Sequence, residues 1–266
     1  MELTYSDYLK VRDLTNLQEL RSDGKEHDEM LFIIIHQTYE LWFKQILHEA
    51  EHLATLFSKN EVMKAAKTLN RINTILKVLV HQVDILETMT PLEFLSFRDY
   101  LDSASGFQSS QFREFEFILG HKQVHHLKNF EENSPEYIAL EKRLNEATLW
   151  DFFIKCLGLN GYDIPDSACN RNFRESTAEN KELHPVLINI YQSDRQLALV
   201  CEMLMDLDEG LQEWRYRHVK MVERTIGGKL GTGGTVVTEY LKKTLFNPVF
   251  PDLWAIRTEF EYVPNK

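Results

Sequence analysis

The first proline falls at position 91, and only Gly24 interrupts the ninety residues before it with a flexible backbone. A stretch so poor in the two strongest breakers has few places to turn, so long helices are the fold open to it. The apolar spacing agrees. Phe32, Tyr39, Phe43, Leu47, Ala50, Ala54 and Phe57 share one face of a helix expected from about Asp28 to Phe57. A second is expected from Glu61 to Glu87, with Val62, Ala65, Ala66, Leu69, Ile72, Leu76, Leu79, Val83 and Leu86 inward. Thr90-Pro91-Leu92-Glu93 reads as a capping box that opens a third.

Further helical patterns cover Gln108 to Leu119, Tyr137 to Leu157 and Ser193 to Ile226, and a C-terminal one runs around Glu239 to Leu245. No run alternates with a period of two, which makes the fold class all-α. The least regular stretch, 131–185, is expected to be a small peripheral insertion within a single domain spanning 1–266. Lys and Arg number 30 against 41 Asp and Glu, for a net charge of −11, so phosphate backbones and anionic lipid would be repelled. The apolar run Met30 to Ile35 is far too short to cross a bilayer, and the charged first twenty residues hold no signal core. Three widely spaced cysteines make neither a disulfide framework nor a Cys-x-x-Cys zinc site. No nucleic-acid or membrane partner is expected, and the setting is expected to be reducing and cytoplasmic.

The ten histidines are where chemistry could lie. At 100° per residue, His36 falls within the apolar stripe of the first long helix. His218 falls at the centre of the stripe Val200, Leu204, Leu207, Leu211, Trp214 and Val222. Each is either a core histidine satisfied by nearby groups or a ligand to a metal or flat cofactor, and periodicity does not decide between these. His48-Glu49-Ala50-Glu51-His52 matches the H-E-x-x-H zinc pattern, in which Glu49 would be the base. Its histidines, however, lie opposite the apolar stripe, so a solvated face matching the pattern by chance is preferred. Arg98 borders the stripe Phe94, Phe97 and Leu101, with Ser105 beyond it. A guanidinium there wants an anion, either a structural partner or a substrate carboxylate. Glycines 227, 228, 231, 233 and 234 crowd the end of the His218 helix. They form neither a Walker loop nor a dinucleotide fingerprint. They are either a helix cap with a mobile loop or a flap that closes over a small ligand.

Several long motifs in register carry a family resemblance. His27-Asp28-Glu29-Met30-Leu31-Phe32-Ile33-Ile34-Ile35-His36-Gln37-Thr38-Tyr39-Glu40-Leu41-Trp42 resembles the signature of the tryptophan 2,3-dioxygenase family. So do Phe97-Arg98-Asp99-Tyr100-Leu101, Ser105-Gly106-Phe107-Gln108-Ser109, Trp214-Arg215-Tyr216-Arg217-His218, Gly231-Thr232-Gly233-Gly234 and Pro251-Asp252-Leu253-Trp254. The match runs from Thr4 to Thr258.

The resemblance implies a haem b enzyme, active as the ferrous form and usually a homotetramer, that joins O2 to L-tryptophan in the first step of its breakdown through kynurenine. It makes His218 the axial iron ligand and His36 the distal histidine near the indole N–H. Phe32, Ile35, Phe94 and Ser105 would line the substrate pocket, and Arg98 would clamp the substrate carboxylate. Gly231 and Thr232 would hold the amino-acid end. Tyr5, Tyr8 and Leu9 would reach a neighbouring subunit's pocket. Phe94 stands where some bacterial members have Tyr, and Ser110, Gly228 and Leu230 also depart from the pattern. A related haem dioxygenase acting on another indole, or a zinc peptidase using His48, Glu49 and His52, are the alternatives.

Overall fold

The computed structural model describes residues 2–23, 26–102, 104–229, 242 and 244–261. Among them the regular structure is helical throughout. Two short N-terminal helices, α1 (Tyr5–Leu9) and α2 (Val11–Leu14), precede the 32-residue α3 (His27–Ser58) and the 25-residue α4 (Val62–Leu86). The chain reverses between these long helices over three residues, with Asn60 in the left-handed region at φ +56°. The expected α3 and α4 are thus found within a residue of their predicted ends.

α5 (Pro91–Arg98) opens on the expected capping box. Thr90 Oγ1 accepts from the Glu93 amide, and the Glu93 carboxylate accepts from the Thr90 amide at 2.7 Å. α6 (Ser110–Leu119) starts two residues later than expected, because Gly106–Gln108 forms a separate 3-10 turn capped by Ser105. The single segment expected over Tyr137 to Leu157 is two helices, α7 (Pro135–Asn145) and α8 (Leu149–Leu159). The break has a local and a distant cause. Thr148 and Asp151 make a capping box that starts α8. The buried Lys122 ammonium donates to the Arg143, Leu144 and Glu146 carbonyls, ending α7 from outside it.

After α9 (Asp166–Cys169), α10 (His184–Ser193) takes Pro185 into its first turn, a helix that the polar tract did not announce. α11 (Arg195–Ile226) is the second 32-residue helix, and α12 (Pro251–Ala255), followed by a 3-10 turn over Ile256–Thr258, is the last α-helix among the described residues. The helix expected over 239–245 lies mostly outside the described residues.

α4 packs against both α3 and α11. Leu69, Ile72, Leu76 and Leu79 of α4 are buried with Ile46, Leu53 and Phe57 of α3 and Leu204, Leu207 and Leu211 of α11. Each such side chain contributes roughly 1.5–3 kcal/mol on leaving water. Leu149, Phe153 and Leu157 of α8 join this core, and α7 caps a smaller cluster with Leu140 and Leu144. Toward the start of α3 and the end of α11, α5 contacts both helices. A space opens there between the two long helices, with α5 and α6 beside it.

Because three carbonyls at the end of α7 depend on one ammonium, Lys122→Met should lower stability by about 2–3 kcal/mol. Urea denaturation would check this; a loss below about 0.5 kcal/mol would mean water replaces the ammonium without cost.

Candidate active site

α3 delivers His36 in a defined tautomer. Its Nδ1 lies 2.7 Å from the Phe32 carbonyl oxygen. A carbonyl only accepts, so Nδ1 carries the proton and Nε2 keeps its lone pair. The Phe32 and His36 rings touch at a centroid distance of 4.1 Å. Phe94 and Phe97 of α5 pack on the same Phe32 ring at 5.8 and 5.5 Å. That packing presents Arg98, in the last turn of α5, to the same space.

From the opposite side α11 contributes His218. Its ring lies parallel to Trp214 one turn earlier, at 4° and 5.2 Å between centroids. Trp214 is in turn wedged by Phe43 and Phe112. Burial, with the positive influence of His36 and Arg113, holds the His218 imidazole down to about 4. Burial likewise lowers His36, against an opposing pull from its bond to Phe32 and from Glu40. Both rings are neutral near pH 7.

Phe32, His36, Phe94, Arg98, Ser105 and His218 therefore line one cavity. It holds about 1260 Å³ of space free of atoms, part of it open to solvent. Ile35, expected in the pocket, is not among the residues that line it; it is buried against Leu86, Met89 and Phe97, since the residue before His36 on a helix points about 100° away. Tyr5 and Tyr8 are 77% and 72% exposed, and neither they nor Leu9 lines this cavity. The arm that carries them is tethered further on. Glu29 accepts from the Arg21 and Ser22 amides, and Gln37 donates to the Leu17 carbonyl. Gly231 and Thr232 lie outside the described residues.

One group of lining residues escaped the sequence reading. Glu116 of α6 is fully buried between two guanidiniums, 2.5 Å from Arg113 and 2.7 Å from Arg215. Burial alone would raise its carboxyl, but the two arginines overcome this and hold it at about 2. One carboxylate for two guanidiniums leaves the wall a net positive charge, and the buried Arg113 Nε has no hydrogen-bond partner among the described residues. The available signal was charge set among aromatics: Arg113 and Glu116 stand three apart in Phe112 to Phe117.

The zinc pattern does not assemble. His48 and His52 are exposed, and Glu49 is buried with its carboxylate held by Arg71 and Gln45, each at 2.7 Å. Among the described residues no group of three His, Cys, Asp or Glu side chains could hold a metal ion.

Comparison with known proteins decides the family. The family model described as tryptophan 2,3-dioxygenase matches residues 1–149 and 169–260. The chain belongs to the tryptophan 2,3-dioxygenase family. The tryptophan 2,3-dioxygenase of Herpetosiphon aurantiacus is 54% identical, over 97% of this chain and 98% of that one. The enzymes of the same name from Anaeromyxobacter sp. (strain K) and Caulobacter vibrioides are 46% and 42% identical, over 96–97% of this chain and 95% and 98% of theirs. The dioxygenase family is thus matched along almost the whole length, and the matched segments carry every described residue of the cavity wall.

Glu116→Gln should cost roughly 3–5 kcal/mol near pH 7, because it strands two buried cations. The pH dependence has a definite sign. A carboxyl lowered from 4.5 to about 2 by folding contributes stability above pH 4.5, and loses it as pH falls toward 2. Denaturation of both proteins from pH 7 to 2 should show their difference shrinking over that interval; a constant difference would refute the assignment.

Proposed function

We propose that this chain is a haem-dependent dioxygenase that inserts both atoms of O2 across the indole C2–C3 bond of L-tryptophan, giving N-formylkynurenine. The observation that carries this reading is the convergence, in one cavity, of two neutral inward histidines from α3 and α11 with Arg98 from α5. Family membership supports the same activity.

The residues present fit a haem. Neither ring nitrogen of His218 has a hydrogen-bond partner among the described residues, and a neutral imidazole is a good ligand for iron. Arg113, with its unpartnered Nε, and Arg215 provide positive charge for carboxylates on a cofactor's edge. We infer haem b, ligated by His218. When bound, the haem supplies a ferrous iron that activates O2.

The protein's own part is orientation and exclusion of water. Arg98 clamps the tryptophan carboxylate, and Gly231 and Thr232 receive the amino-acid end. Phe32 and Phe94 make an apolar wall for the indole, with Ser105 at its edge. His36 Nε2, left unprotonated by the Nδ1 bond to Phe32, accepts from the indole N–H and fixes the ring's orientation. The net reaction adds O2 with no gain or loss of protons, so a positioning acceptor suffices and a strong base is not required.

Tyr5, Tyr8 and Leu9, so exposed here, reach the pocket of a neighbouring copy in a homotetramer. We read residues 1–266 as one haem-dioxygenase domain at work in the cytoplasm. No helix among the described residues is long and apolar enough to cross a membrane.

Two measurements test this. The haem-loaded ferrous protein should show a shifted Soret band on adding CO, and His218→Ala should lose haem on gel filtration. An unchanged spectrum with CO, or full haem retention by the variant, would overturn the cofactor assignment. Arg98→Ala should weaken tryptophan binding roughly 10²-fold while leaving 3-methylindole, which lacks the carboxylate, unaffected. Equal effects on both ligands would place Arg98 outside the carboxylate clamp.

A further inference from the structure

The cavity leaves the paired histidines of α3 without a role, although the sequence sets them at metal-binding spacing. His48 and His52 are both exposed and one turn apart on a continuous 32-residue helix. Four residues advance about 6 Å along the axis and return side chains to the same face. Two imidazoles so placed reach a common ion by side-chain rotation alone. The backbone beneath them is held, since Leu47, Ala50, Leu53 and Ala54 are buried in the main core. The surrounding charges are already engaged: Glu49 faces inward to Arg71, and Glu51 is paired with Arg143. Neither imidazole has a hydrogen-bond or ion-pair partner among the described residues. Glu61, at the N-cap of α4, is likewise taken up, by an ion pair with Lys64.

We propose that His48 and His52 form a surface chelate for one divalent transition-metal ion, with two imidazole nitrogens and water as ligands. Imidazole donors select borderline ions, in the order Cu²⁺ above Ni²⁺, and exclude Mg²⁺ and Ca²⁺, which take oxygen ligands. The site has no hydrolytic activity, because Glu49, the only carboxylate in the position of a base, is buried and held by Arg71 and Gln45. It is also separate from the cavity, since twelve residues of helix place His48 about 18 Å along the axis from His36. Its effect is to staple one turn of α3, so the ion stabilises the folded protein by linkage.

The test is a Cu²⁺ titration of the purified haem-loaded protein, followed by calorimetry and by electron paramagnetic resonance. One ion should bind with two equatorial nitrogen ligands, and the protein's Tm should rise. His48→Ala and His52→Ala should each weaken binding roughly 10²-fold, the loss expected when a two-point attachment becomes one-point. His81→Ala, another exposed histidine on a different helix, should bind as the parent does, and tryptophan turnover should be the same in all four proteins without metal. Binding unchanged in both His48→Ala and His52→Ala, a single coordinated nitrogen, or equal weakening by His81→Ala would overturn the proposal.

Discussion

The wall of the cavity depends on one buried carboxylate. Glu116 makes Arg113 tolerable on its own helix and holds Arg215 across from α11, whose guanidinium also lies 3.4 Å from the Thr244 and Asn247 carbonyl oxygens. A single ion pair of this kind gains little over an apolar replacement, because desolvation offsets attraction. Its value is specificity of arrangement. Through Glu116 the position of α6 is fixed relative to α11 within one turn of His218, and through Arg215 so is the chain near Thr244. Because two cations face one anion, the wall is also left short of negative charge. An anionic group entering the cavity would complete the network, which fits a cofactor whose edge carries carboxylates.

The same region explains why both histidines stay neutral. His218 is surrounded by Trp214 on one face and by positive charge from Arg113, and His36 adds to that disfavour if protonated. Burial and like charge act in the same direction, so the imidazole on α11 is available as a ligand over the whole physiological range. His36 differs in kind. Its ring is exposed to the cavity and anchored by a single bond to its own helix, so its remaining nitrogen is an acceptor of known orientation.

How much of this was legible in the sequence follows from what periodicity encodes. A 3.6-residue repeat shows which face of a helix is buried, and so α3, α4 and α11 were readable nearly to the residue. It does not show which helix lies opposite, so His36 and His218 could be placed inward but not together. Local caps were readable too, as Thr90 with Glu93 shows. The end of α7 was not, because the group that terminates it is Lys122, more than twenty residues earlier. Glu116 was missed because a charge on an aromatic helix is explained only by the partner it meets, and Arg215 is 99 positions away. The family motifs carried what periodicity could not, since they preserve residue type in order across elements that meet only in the fold.

A reaction that adds O2 without exchanging protons places unusual demands on a protein. It needs no strongly perturbed acid or base, and the cavity's two histidines are accordingly both neutral. What it needs is a fixed aromatic ring, a dry surround and a held carboxylate. In the proposed reading those requirements fall to apolar packing, one backbone-anchored imidazole and one guanidinium, each on a different or separately packed part of the helical frame. Such a site draws its precision from helix packing. A mutation that loosens α5 against Phe32 would shift the turn that carries Arg98, because Phe94 and Phe97 of that helix pack on the Phe32 ring. In this fold the aromatic cluster and the proposed substrate clamp therefore share one short helix, and orientation should fail before ligand chemistry does.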